Sequence, residues 1–168
     1  MAEGGGTWLL AYLTLQRLAE LVIARRNTRA LLARGAVEAG AGHYPVMIAL
    51  HATWLATLWW FGRAQPVQPA FLAGFVVLQA ARYWVIGTLG PRWTTRIILV
   101  PGEHPIVGGP FRFLRHPNYA VVALELPCVS LALGLPWHAA VFGVLNLAML
   151  AWRIRGEDAA FARFAARA

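Results

Sequence analysis

Residues 117–153, "PNYAVVALELPCVSLALGLPWHAAVFGVLNLAMLAWR", decide the fold. Two apolar runs, at about 118–134 and 136–153, are separated only by the Gly134–Pro136 punctuation. A connection that short admits only a tight helical hairpin. Working outward, three more apolar segments stand at about 7–24, 44–62 and 69–89. Each approaches the roughly 20 residues needed to cross a bilayer core. The sequence therefore predicts an all-α integral membrane protein of about five transmembrane helices. Residues 1–168 form a single domain: three N-terminal spans within 7–89, a connection at 90–117, and a C-terminal hairpin and tail at 118–168.

Composition agrees. Hydrophobic residues make up 59% and charged residues 13%, against about 45–50% and ~25% in soluble domains. The net charge of +8 comes from arginine alone, because the chain contains no lysine. These arginines sit at the ends of apolar runs, which fits anionic lipid headgroups and argues against nucleic acid. The start "MAEGGG" lacks the basic region of a secretory signal peptide. The lone Cys128 permits no internal disulfide.

Loop charge predicts orientation. Arg25, Arg26, Arg29 and Arg34 fall in the 25–43 connection, Arg92, Arg96, Arg112 and Arg115 in 90–117, and Arg153, Arg155, Arg163 and Arg167 follow the last run. The other side has only Arg63. The positive-inside rule then places the N-terminus outside and both long connections and the C-terminus in the cytoplasm. The 90–117 connection is too long for a minimal loop, and its composition is not that of a disordered segment. An extended piece is expected near 95–100, followed by a turn at "PGEHP".

Ionisable groups inside spans suggest function by default. Gln16, Arg17 and Glu20 lie in the first segment, His51 in the second, Gln79 and Arg82 in the third, Glu125 in the fourth and Asn146 in the fifth. Arg17 and Glu20 share a helix face and are able to satisfy one another. His51 and Asn146 read most simply as hydrogen-bonding core residues. Most of these groups, with His43 in "GHYP" and Trp93 in "RWTTR", fall on the half assigned to the cytoplasm. A polar pocket at that interface accounts for the clustering. His43, His51, His104, His116 and His138 show no metal-ligand spacing, so no metal is expected. Neither GxSxG nor a phosphate-cradling glycine pattern occurs.

Two motifs carry more specific information. "RHPNY" at 115–119 opens one helix of the hairpin, and "RIRGED" at 153–158 follows the other. Together they resemble the isoprenylcysteine carboxyl methyltransferase family, membrane enzymes that use S-adenosyl-L-methionine, over about residues 85–160. The N-terminal half is similar to a smaller bacterial branch, some of whose members O-methylate alkylpyrone-type lipids. The resemblance implies a bacterial inner-membrane methyltransferase with a cytoplasmic cofactor pocket.

It assigns Arg115, His116, Pro117, Tyr119, Glu157 and Asp158 to the cofactor. A carboxylate would meet its ammonium, and Arg115 or His116 its carboxylate. Arg96, Arg153 and Arg155 are the candidates to pair with an acidic acceptor headgroup. Glu20, His43, Arg82, Trp93 and Glu125 are the candidates around a lipophilic substrate. Membrane lipids are the expected partners, and oligomeric state is left open. Three other readings remain: a phospholipid N-methyltransferase, a membrane reductase sharing the hairpin, or a small transporter or assembly subunit.

Overall fold

The computed structural model describes residues 4–39, 41–102 and 106–165, with side chains up to residue 162. Of the expected turn at "PGEHP", Pro101 and Gly102 do form a turn, whereas residues 103–105, with His104, and the side chains of Arg163 and Arg167 lie outside the described residues.

Among the described residues five α-helices form the body: α1 Gly5–Ala33, α2 Tyr44–Gly62, α3 Pro69–Leu89, α4 Pro117–Ala132 and α5 Pro136–Ala165. Pro45, Pro69, Pro117 and Pro136 each fall in a first helical turn, where a missing N–H leaves no bond unmade. The hairpin closes as the sequence predicts. Gly134, at φ 67°, sends its N–H to the Leu131 carbonyl, and Leu135 sends its N–H to Ser130. That pair of bonds is a Schellman stop, and Pro136 restarts the chain as α5 at once.

Two helices outrun their expected limits. α1 continues past residue 24 through "RRNTRALLA" to Ala33, because no glycine or proline interrupts it before Gly35. α5 continues through residues 154–165 where a tail was expected, so "RIRGED" lies on the helix instead of after it. The all-α expectation also needs one addition. A short antiparallel ribbon joins β1 (Val37–Ala39) to β2 (Ile97–Leu99), pairing Val37 with Leu99 and Ala39 with Ile97. The extended piece expected near 95–100 is β2, and it ties the two arginine-bearing connections together.

Among the described residues three helices are long and apolar enough to cross a membrane: Gly5–Ala33, Pro69–Arg92 and Pro136–Ala162. α4 is apolar but shorter, at 16 residues. Trp8, Leu15, Val22, Val77 and Val144 are each at least two-thirds exposed, an outward face suited to lipid.

The molecule has two distinct ends. At one, Thr7 donates to the Arg63 carbonyl, Gln68 N–H donates to Ala132, and Gly62 packs against Leu133. The N-terminus of α1 and the α2–α3 and α4–α5 turns therefore lie together. Between this end and the middle sits a core of Leu10, Leu13, Trp54, Leu58, Phe75, Leu126, Val129 and Phe142. His138 joins three helices there, bonding Thr57 Oγ1 and Ser130 Oγ at 2.9 Å each. At the other end Asn27 donates to the carbonyls of Gly90 and Trp93, which docks the long α1 extension on the 90–117 connection.

Candidate active site

Sequence position along α1, α3 and α4 places four charges at one level. Glu20 and Arg82 face each other through Nε–Oε1 at 2.6 Å and a second contact from Nη2 to Oε2. Arg82 Nη1 reaches Glu125 Oε2 at 3.2 Å, and Arg17 Nη2 lies 2.7 Å from Glu125 Oε1. Gln79 donates to Glu125 at 2.9 Å, and Gln16 bridges Glu20 and Gln79. Two guanidiniums and two carboxylates thus cancel in a buried network, which removes most of the cost of placing charge there. Arg17 does more than pair within its own helix: it crosses to α4.

This network floors a cavity of about 290 Å³, at the small end of the range for ligand pockets. Leu18 and Leu21 of α1 and Ile48, Ala52 and Leu55 of α2 give it an apolar wall. Trp93, Thr94, Thr95 and Tyr44 close it on the side of the 90–117 connection, and Asn118, Tyr119 and Arg153 close it at the hairpin. Trp93 Nε1 and Asn118 Oδ1 are buried polar atoms with no partner among the described residues.

The hairpin's two motifs meet at the rim. Arg153 Nε donates to Tyr119 Oη at 2.8 Å, and the Tyr119 hydroxyl donates to Glu157. Residues 153 and 157 share a face of α5 because the helix continues through them. His116 stacks on Tyr119 with centroids 5.2 Å apart. Arg115 pairs with Asp158 at 2.8 Å, and His116 Nε2 stands 3.8 Å from the same oxygen. Pro117 is buried at the start of α4 and faces away from the cavity.

The three arginines expected to meet an acceptor separate clearly. Arg96 is bound through Nη1 to both oxygens of Glu38, at 2.7 and 2.8 Å, and lies over the Tyr44 ring at 4.3 Å. The Glu38 carboxylate holds its guanidinium above the ordinary arginine range. Arg155 is exposed on α5 and does not line the cavity. Arg153 is 6% exposed, lines the cavity, and makes no ion pair among the described residues; its Nη1 meets only Met47 Sδ at 3.0 Å.

Of the substrate candidates, Glu20, Arg82 and Trp93 line the cavity, and Glu125 lies directly behind it. His43 is buried against Trp152 outside the lining. Sequence reasoning passed over Met47 and Asn118, which carried no charge to mark them. Among the described residues no group of three His, Cys, Asp or Glu is placed to hold a metal ion.

Fold and cavity together define a helical membrane protein with an internal site, polar at one end and apolar along one wall. Residues 70–163 match the isoprenylcysteine carboxyl methyltransferase family, and the chain belongs to that family. Membership supports a membrane methyltransferase. The uncharacterized protein YpbQ of Bacillus subtilis (strain 168) is 34% identical, over 95% of this chain and 99% of its own. An uncharacterized protein of Haemophilus influenzae is 29% identical, over 86% of this chain and 87% of its own. No solved structure matches.

Proposed function

We propose that this single membrane domain is an S-adenosyl-L-methionine-dependent O-methyltransferase acting on an acidic oxygen, a carboxylate or enol, of a lipophilic acceptor. The observation that carries this reading is Arg153, a guanidinium buried at the cavity wall without a carboxylate partner among the described residues. A buried charge needs a counter-charge. A phenol oxygen and a thioether do not provide one, so the position suits an anion arriving with a ligand. An alkylpyrone-type enol with an apolar tail meets that requirement, the tail lying against Leu18, Leu21, Ile48, Ala52 and Leu55. An amine acceptor finds a repelling cation at the same place, which disfavours phospholipid N-methylation.

The residues present fit the cofactor. Trp93 and Asn118 line the cavity, each with a buried polar atom, Nε1 and Oδ1, that has no partner among the described residues and that a small side-chain rotation would turn toward a ligand, and Tyr119 offers an aromatic face. Glu157 and Asp158 would take its ammonium, and Arg115 and His116 its carboxylate. When bound, S-adenosyl-L-methionine supplies an electrophilic methyl group on a sulfonium. Arg153 holds the acceptor oxygen in its anionic form, so the chain needs no general base for an acceptor already ionised. Tyr119 fixes Arg153 by accepting its Nε–H, and Glu157 fixes Tyr119 in turn. The Arg17–Glu20–Arg82–Glu125 network keeps the cavity floor rigid and polar without adding net charge. Alignment of this kind supplies several kcal/mol of barrier reduction, on the order of 7–11 at best.

Five crossings with the arginine-rich end in the cytoplasm, in a bacterial inner membrane, complete the proposal. Its support is that the two long connections, 25–43 and 90–117, which carry eight of the fifteen arginines, meet at one end of the helix bundle, the end that holds the cavity, whereas the opposite end has only Arg63.

The test pairs calorimetry of S-adenosyl-L-methionine binding in detergent with transfer of labelled methyl to a long-chain hydroxypyrone. Micromolar binding is expected, weakened strongly in Glu157→Ala and kept near the wild-type value in Arg153→Gln. Transfer in Arg153→Gln should fall roughly a hundredfold, as on losing one charge-stabilising donor. No binding by the folded wild-type protein overturns the methyltransferase reading and favours a transporter or subunit.

A further inference from the structure

A second cavity, of about 250 Å³, lies on the outer surface between α3 and α4, and nothing in the proposed reaction uses it. Leu78 and Trp84 of α3 and Ala120 and Leu124 of α4 form its sides, and Phe113 and Leu114 close one end. Every residue lining it is apolar. Trp84 and Phe113 meet there with centroids 6.3 Å apart, an aromatic pair of the kind that settles at a membrane–water boundary.

The closing segment is unusual for a connection outside the helices. In "RFLR", residues 112–115, Phe113 is 74% and Leu114 52% exposed, with an arginine on either side. Apolar side chains beside cations suit the headgroup boundary of an anionic leaflet. The two arginines differ. Arg115 is paired with Asp158, whereas Arg112 is exposed and makes no ion pair among the described residues.

We propose that this groove seats one acyl chain of an anionic phospholipid, whose headgroup is held at Arg112. A second copy of the chain is the weaker occupant, because it has little negative charge to offer. Of its seven acidic residues, Glu20 and Glu125 are buried in the internal network, Glu38 and Asp158 are paired with arginines, and Glu157 is bonded to Tyr119. A lipid brings both the apolar chain and the phosphate. Lipid in the groove also braces the segment that delivers Arg115 and His116 to the site rim. That consequence rests on the function proposed above; the lipid binding does not.

The experiment is native mass spectrometry of the full chain released from bilayers of equal phosphatidylglycerol and phosphatidylcholine. Wild type should retain phosphatidylglycerol over phosphatidylcholine by about fivefold, the order of one arginine's attraction to an anionic headgroup. Arg112→Gln should keep a bound lipid but lose that preference. Leu124→Trp fills the groove from a 59% exposed position and should release the lipid whatever its headgroup. Ala120→Phe, with folding checked by helical circular dichroism, gives the same reading should the tryptophan variant not fold. Unchanged retention in both filled variants, or an unchanged preference in Arg112→Gln, overturns the proposal. So does a dimer that Leu124→Trp disperses, which assigns the groove to a second copy.

Discussion

Glu125 shows how one side chain organises the centre of the molecule. Its carboxylate is fully buried and meets Arg82, Arg17 and Gln79. Removing it strands two guanidiniums with one remaining carboxylate between them. Breaking a buried ion pair from one side costs roughly 3–5 kcal/mol. Glu125→Ala should therefore melt well below wild type in the same detergent, and a melting temperature within a degree of wild type rules out this role. Glu125→Gln, which keeps the hydrogen-bonding shape but not the charge, should fall between the two. The candidates Glu20, Arg82 and Glu125 were legible in the sequence because an ionisable group in an apolar run is conspicuous by its cost. Arg17 was legible only as the near neighbour of Glu20, since spacing along one helix says nothing about reach to another. Met47 and Asn118 stayed hidden for a different reason: neither carries a charge to mark it in the sequence, and only the assembled cavity gives them a place.

At the level of elements, the packing end depends on glycines in close backbone contact. Gly6 lies in α1 where a Cβ would collide with the Gly62 carbonyl oxygen and stand 2.9 Å from that of Gln65. Those neighbours are backbone and cannot swing aside. Gly62 in turn admits Leu133, whose Cδ1 would lie 2.8 Å from an added Cβ. Lipid gives helices no hydrophobic reason to associate, so close backbone approach matters more than in water. Gly6→Val should destabilise by about 1–3 kcal/mol, the usual cost of overpacking, with loss read from thermal melting. Gly4→Val makes the control, because nothing lies within 4 Å of that position, although its φ of 108° adds local strain. Equal stability of Gly6→Val and wild type denies the close contact. The hairpin's turn was readable in the sequence, with α5 starting at Pro136 as expected and α4 ending at Ala132, two residues before the expected 134, because Gly134 and Pro136 carry their conformations in their covalent structure. The lengths of α1 and α5 were not, since apolar content marks where a helix enters lipid and not where it stops.

Across the whole molecule, the number of crossings and the placement of the site are one question. Three helices meet the length and hydropathy expected of a span, whereas α2 carries His51 and several tryptophans and α4 has 16 residues, about 24 Å at 1.5 Å per residue. If only α1, α3 and α5 crossed, the α2–α3 turn would lie with the 25–43 connection, and residue 112 would lie on the opposite face. Five crossings reverse both assignments, and they agree with the grouping of α1's N-terminus with the two short turns. Cysteines placed singly at the exposed positions Arg29, Gln65 and Arg112, in a Cys128→Ser background, separate the two arrangements. With an impermeant maleimide on intact cells, Gln65→Cys should label, and Arg29→Cys and Arg112→Cys should label only after permeabilisation. A cysteine at Gly134 should label more slowly than one at 65, because Leu133 and Leu135 are buried on either side of it and α4 is short for a bilayer of about 30 Å. Labelling of 112 but not 65 in intact cells would establish three crossings. It would also move the mouth of the Arg153 cavity to the face where S-adenosyl-L-methionine is not made, and the methyltransferase reading would then need a different donor.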